Sequence, residues 1–276
     1  MTKGKRLVLK NATMRIELEV NSREALVNGV RVFMGEGTRM YRRSLRISRI
    51  DAERFIGPIA QPKFGNPTVP RLRVIALDAG HGGRDPGKEH KKLRVNEKTF
   101  TLDVVRRLER LLEAQGYRVI LTRKGDTYVE LGDRPAAAAR AGADLFISVH
   151  FNAVGSNVER VSGSETYTMT PQYQRSASET RRDSMDAIAN PGNVNDRWNS
   201  IIGYHMQRSM LNNLKTSDRG LKHGRLAVLR LARCPAVLVE AGFLSNTAEA
   251  RKIATPAYRQ QVTQAPAGGV EAYVGA

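Results

Sequence analysis

Cysteine is nearly absent: Cys234 is the only one in 276 residues. A single thiol excludes an internal disulfide framework and any cysteine-rich zinc or iron–sulfur centre. A metal, if one binds, must be held by His, Asp or Glu. No apolar run reaches about 18 residues, so no transmembrane segment is expected. The opening residues Met1–Lys10 carry a basic cluster but no apolar stretch of signal-peptide length. Acidic residues are also few, with 27 Asp and Glu against 45 Lys and Arg. Apolar residues make up 41% of the chain, enough for a sizeable core, which excludes a wholly disordered protein.

The charge of +18 is uneven. Residues 1–73 hold 16 basic and 6 acidic side chains, a net of +10, and the rest of the chain holds 29 and 21, a net of +8. A basic surface of that density fits an anionic partner, whether nucleic acid, lipid headgroup or polysaccharide; it also fits simple solubility. Phe33, Tyr41 and Phe55 do not form the spaced aromatic ladder of a nucleic-acid stacking platform, so no nucleic-acid partner is expected.

The stretch Ile59–Pro70 carries Pro62, Pro67 and Pro70, which cannot sit in a helix interior or a central strand. It divides the chain into a small basic β-rich module (residues 1–58), a linker (59–72) and a larger unit (73–276). In the module, Met14–Val20 alternates apolar and charged residues, and Val27-Asn-Gly-Val30 is a hairpin signal. The larger unit alternates strands and helices. Strands are expected at 73–78, 118–122, 145–150, 164–169, 226–229 and 236–240, and helices at 97–114, 134–141 and 198–214. That rhythm predicts an α/β fold, a mostly parallel sheet with helices on both faces. The polar stretch 170–196 reads as one long loop.

Ligands of parallel α/β sheets sit at the carboxyl ends of the strands. Four polar residues fall at that edge: His81 just past a strand, His150 and Glu240 closing strands, and Glu97 opening the first long helix. Two imidazoles and a carboxylate suit one zinc ion and leave a coordination position open for water, and a second carboxylate nearby can act as general base. Each residue also has a plain structural reading, and Glu97 could simply favour the helix dipole. Glu240 resists that reading, because it follows a fully apolar strand where an unpaired carboxylate is costly.

The segments Ile75–Gly83, Asn96–Lys98, Ala143–Ala153, Gly163–Tyr167 and Pro235–Asn246 occur in an order that resembles the zinc-dependent N-acetylmuramoyl-L-alanine amidases of amidase type 3. The resemblance covers residues of about 73–274. It implies zinc ligands at His81, Glu97 and His150, Glu240 as the catalytic carboxylate, peptidoglycan as substrate, and action outside the cytoplasm, in the periplasm or cell wall, although no signal peptide is visible. It implies hydrolysis of the amide between N-acetylmuramic acid and L-alanine. A related zinc peptidase and a non-catalytic wall-binding protein are the alternatives. Asp78 is expected to orient a metal ligand, and Arg123 and Arg134 to act as structural ion-pair partners. Some family members cover the zinc with an inhibitory helix; Glu179, Asp183 and Asp186 fall in the corresponding region, but without apolar periodicity for docking. Pro266, inside the last helical pattern, predicts a break near Ala265. The basic module faintly resembles small β-rich domains of bacterial wall enzymes, and its partner is expected to be an anionic envelope polymer.

Overall fold

A computed structural model describes residues 6–65, 67 and 71–276. Part of the expected linker, Asn66 and Thr68–Pro70, lies outside the described residues. The chain opens with four antiparallel strands, β1 (Arg6–Lys10), β2 (Arg15–Glu19), β3 (Glu24–Val27) and β4 (Val30–Phe33). The β3–β4 turn is Asn28-Gly29, both with positive φ (47° and 82°), the conformation that an Asn-Gly hairpin turn requires. A separate hairpin follows, β5 (Arg39–Tyr41) and β6 (Ser44–Arg46). The short helices α1 (Arg49–Asp51) and α2 (Gly57–Ala60) are joined by a π-helical turn.

The larger unit then runs β7 (Val74–Ala79), the small hairpin β8 (Glu89–His90) and β9 (Val95–Asn96), α3 (Glu97–Ala114), β10 (Arg118–Leu121), α4 (Asp133–Arg140), β11 (Leu145–Asn152) and β12 (Ser164–Met169). It continues with α5 (Asp196–Leu214), β13 (Asp218–Gly224), α6 (Ala227–Arg230), β14 (Ala236–Phe243), α7 (Thr247–Ile253) and α8 (Pro256–Val274). One ten-stranded sheet has the order β1-β2-β3-β4-β13-β12-β14-β11-β7-β10. Among its six central strands only the β12–β14 pair is antiparallel. The N-terminal strands continue this sheet through a parallel β4–β13 contact at Val32 and Leu221.

Helices α3, α5 and α8 cover one face of the central strands. Phe100, Val104, Val105, Leu108 and Leu112 of α3 meet Ile75, Leu77, Ile147 and Val239 there. A smaller core on the other face joins Ala138 of α4 and Val228 and Leu229 of α6 to Phe146 and Leu238. A third core fills the N-terminal end, where Ile16, Leu18, Val27, Val32, Phe55 and Ile56 pack with Tyr204 of α5 and Leu221 of β13.

Two expectations change. The apolar run at 226–229 forms helix α6, and the strand before it is β13; a four-residue apolar run has no period to separate helix from strand. The helix carrying Pro266 does not break: α8 runs unbroken from Pro256 to Val274 with Pro266 buried. An interior proline costs about 3 kcal/mol, and tertiary packing offsets it. Ala265, Ala267 and Gly269 are buried, and a Cβ on Gly269 would press on Met206 of α5 at 2.9 Å. The small residues thus let α8 lie directly on α5.

Candidate metal centre and active site

Four chain segments converge at one sheet edge. His81 follows β7 in the turn Gly80-His81-Gly82-Gly83, where His81, Gly82 and Gly83 all have positive φ. Glu97 is the first residue of α3, behind the cap Asn96, whose side chain accepts from Thr99 N. His150 lies near the end of β11, in register with Glu240 on β14. All four expected site residues therefore come together.

Their side chains are tightly arranged. His81 Nε2 lies 3.2 Å from Glu97 Oε2, and His150 Nδ1 lies 3.0 Å from Glu97 Oε1. Backbone N–H groups of Lys88 and Phe151 donate to the two Glu97 oxygens at 2.9 and 3.0 Å. The two imidazoles meet edge to face with centroids 5.0 Å apart. One ligand atom from each of His81, Glu97 and His150 lies within 4.8 Å of the others, so the three residues can hold a metal ion. The chemistry fits zinc, since two imidazole nitrogens and a carboxylate oxygen make up the donor set. The backbone makes room for them: a Cβ at Gly80 would collide with the His150 ring, and one at Gly87 would press on His81 and Glu97.

The electrostatics separate two kinds of carboxylate. Burial works against the charge on Glu97, but hydrogen bonds and charges from His150 and His81 hold it well below the ordinary range. Burial likewise disfavours protonated His81, yet Glu97 and Asp85 together raise it. Glu240 moves the other way. Burial pushes its carboxyl well above the usual carboxylate range, and the charges of Glu97 and Glu165 add to the effect. Its Oε2 is buried with no hydrogen-bond partner among the described residues. A buried acceptor left unpaired is costly, and marks a position built for something other than stability.

A cleft of about 270 Å³ opens over this group, lined by His81, His150, Glu240, Leu131, Arg134 and Leu226 among others. Asp78 does not touch a ligand ring as expected. Its oxygens accept from Thr122, Arg134 and Ser148 at 2.6, 2.9 and 2.6 Å. Its pairing with Arg134 fixes a guanidinium that also donates to the His81 carbonyl at 3.0 Å. Arg123 makes no ion pair among the described residues; its guanidinium donates to the carbonyls of Ala79, Gly80, Lys98 and Gly125. Sequence reasoning missed Asp85, which takes the orienting role: its Oδ2 sits 2.8 Å from His81 Nδ1. The only signal was an acid four residues after the histidine. It also gave no role to Glu165, which faces Glu240 across β12 and β14 and pairs with Arg219 and Lys222. Glu179 and Asp186 are held by Arg225, and Asp183 caps a short helical turn, so none of the three joins the triad.

The family model for N-acetylmuramoyl-L-alanine amidase, type 3, matches residues 75–272. The chain belongs to this amidase family. Relatives include the N-acetylmuramoyl-L-alanine amidase AmiC of Escherichia coli, 31% identical over 81% of this chain and 58% of its own length. LytC of Bacillus subtilis is 34% identical over 75% of this chain and 36% of its own length. The chain thus spans only part of these relatives. An N-acetylmuramoyl-L-alanine amidase of Clostridium difficile 630 superposes with a TM-score of 0.61 at 28% identity, covering 74% of this chain and 98% of that one. The matched range spans His81, Glu97, His150 and Glu240. No helix among the described residues is long and apolar enough to cross a membrane.

Proposed function

We propose that the chain hydrolyses the amide bond between N-acetylmuramic acid and L-alanine in peptidoglycan, with one zinc ion held by His81, Glu97 and His150 and with Glu240 as the catalytic carboxylate. The observation that carries the reading is the buried, partnerless Glu240 Oε2 beside a two-histidine, one-carboxylate cluster, within a chain of the amidase family.

A bound zinc ion supplies Lewis acidity, which polarises the amide carbonyl and acidifies a water. The chain supplies the rest. With Asp85 accepting from His81 Nδ1, Nε2 would be left unprotonated and free to bind the metal. The backbone N–H groups of Lys88 and Phe151 fix the plane of the Glu97 carboxylate. Glu240 takes the proton of the attacking water and hands it to the leaving nitrogen. Arg134 and Asp78 hold the His81 turn from beneath.

In this reading residues 73–276 carry the chemistry, residues 59–72 connect, and residues 1–58 form the basic β-rich module. Peptidoglycan places the site of action outside the cytoplasm. The module's contact with anionic envelope polymers would run through the β5–β6 hairpin. Arg39 and Arg46 sit directly opposite each other there, and Arg42 and Arg43 occupy its turn at positive φ. Like charges paired across a ladder are unfavourable unless an anion lies near them.

Mass spectrometry of purified peptidoglycan incubated with the protein tests the proposal. Stem peptides beginning with alanine should be released, and release should stop with a chelator or with Glu240→Ala. Cleavage within the stem would favour the peptidase alternative, and no release with zinc added would favour the wall-binding one.

A further inference from the structure

The expected loop between β12 and α5 contains only short helical turns, yet it is pinned from two sides. From the amidase side, Arg225 donates to Ser176 Oγ at 3.1 Å, to Asp186 Oδ1 at 2.7 Å, to Glu179 at 3.3 Å and to the Gln174 carbonyl. From the N-terminal side, Arg23 donates to the carbonyls of Glu179 at 2.8 Å and Ser176 at 3.0 Å while also holding Met34 O at 2.9 Å. Glu36 accepts from Arg175 at 3.2 Å and from Arg182 at 2.9 Å. Gln174 donates to Ser48 Oγ at 3.2 Å. A Cβ at Gly35 would collide with the Gln174 side chain, so the module is shaped to let the loop close on it.

The braced segment walls a second pocket, of about 450 Å³, that shares Glu240 and Leu226 with the metal cleft. Its lining includes Asn152, Tyr167, Ser176, Ser178, Glu179 and Arg225. Arg225 is the one Lys or Arg in this lining among the described residues, and its charge is already opposed by Glu179 and Asp186. Asn152 and Tyr167 are oriented by Glu165, to which they donate at 2.6 and 2.8 Å, and Glu165 is neutralised in turn by Arg219 and Lys222. A peptide bearing free carboxylates would meet Glu179 with no spare cation. An uncharged sugar would meet hydroxyls, an amide and an aromatic ring.

We infer that this pocket binds a sugar residue of the glycan strand, and that Arg23 and Glu36 are positioning residues that hold its wall. The inference rests on the amidase reading above. It gives the N-terminal module a part in shaping the substrate groove, by bracing its wall through Arg23 and Glu36.

The test is amide chemical-shift mapping of the full chain with two probes, neutral di-N-acetylchitobiose and a free stem peptide. The sugar should shift the amides of residues 176–179. Ser178→Trp, at an exposed position, should abolish that shift, and should raise KM for glycan-bearing substrate about tenfold with kcat kept. Arg23→Ala should weaken sugar binding about tenfold, and Arg23→Lys should restore part of it. The inference is overturned if the stem peptide and not the sugar shifts these amides, or if Ser178→Trp binds the sugar unchanged. Sugar binding without stem-peptide release from peptidoglycan would defeat the amidase reading and leave the sugar pocket standing. Release without sugar binding would defeat the pocket alone.

Discussion

Strands β7, β11 and β14 are buried along almost their whole length, whereas β1 is exposed at every residue and β2 alternates. Helices cover both faces of the first group, and the N-terminal strands rely on the short helical stretch 49–60 and on one flank of α5. The difference shows where each half gets its stability. The central strands carry their own core and can tolerate costly polar groups at their carboxyl ends. The N-terminal strands share their smaller core with Tyr204 of α5 and Leu221 of β13, and the module in return braces the loop beside Glu240.

The comparison predicts that chemistry and stability can be broken separately. Glu240→Gln should lower amide hydrolysis by about a thousandfold or more, the range for loss of a general base. Its melting temperature in metal-free protein should stay equal or rise, because an unpaired buried carboxylate is removed. Calorimetry beside a turnover assay checks both. Leu221→Ala should do the opposite. Leu221 is fully buried at the seam with Val32, so its truncation should cost about 2–5 kcal/mol in urea unfolding while the remaining folded protein stays active.

His223 gives the seam a pH dependence. Burial pushes its imidazole down to about 3, helped by the charge of Arg23, and neither ring nitrogen has a partner. Below the unfolded value near 6.5 the unfolded chain binds a proton that the folded chain refuses, so stability falls as pH drops. Between pH 6.5 and 5 this group should remove about 2 kcal/mol. Urea midpoints at pH 7 and pH 5 should show that loss, and His223→Leu should lose less over the same interval. At the far edge, Arg6→Ala should change stability by at most about 0.5 kcal/mol, since its contact with Glu19 is solvent-exposed. A larger effect at Arg6 would mean that β1 is better anchored than its exposure indicates.

Much of this was legible in the residues. The Asn28-Gly29 hairpin, the α3 stripe from Phe100 to Leu112 and the apolar strands ending at His150 and Glu240 all follow from short-range patterns. What escaped was set by partners distant in sequence. Pro266 stays helical because small residues on α8 meet α5. The run at 226–229 had too few residues to reveal a period. Asp85 reads as an ordinary turn residue until the fold of the glycine turn swings His81 over it. Continuation of the sheet from β4 into β13 joins residues almost 190 apart and leaves no local mark.

In the proposed mechanism His81, Glu97 and His150 hold the metal and Glu240 does the proton work. Zinc stoichiometry and turnover measured together on the parent, Glu97→Gln and Glu240→Gln test it most directly. One zinc per chain is expected in the parent and in Glu240→Gln, greatly weakened zinc binding in Glu97→Gln, and activity only in the parent. Full zinc retention in Glu97→Gln, or loss of zinc together with activity in Glu240→Gln, would contradict that division of labour.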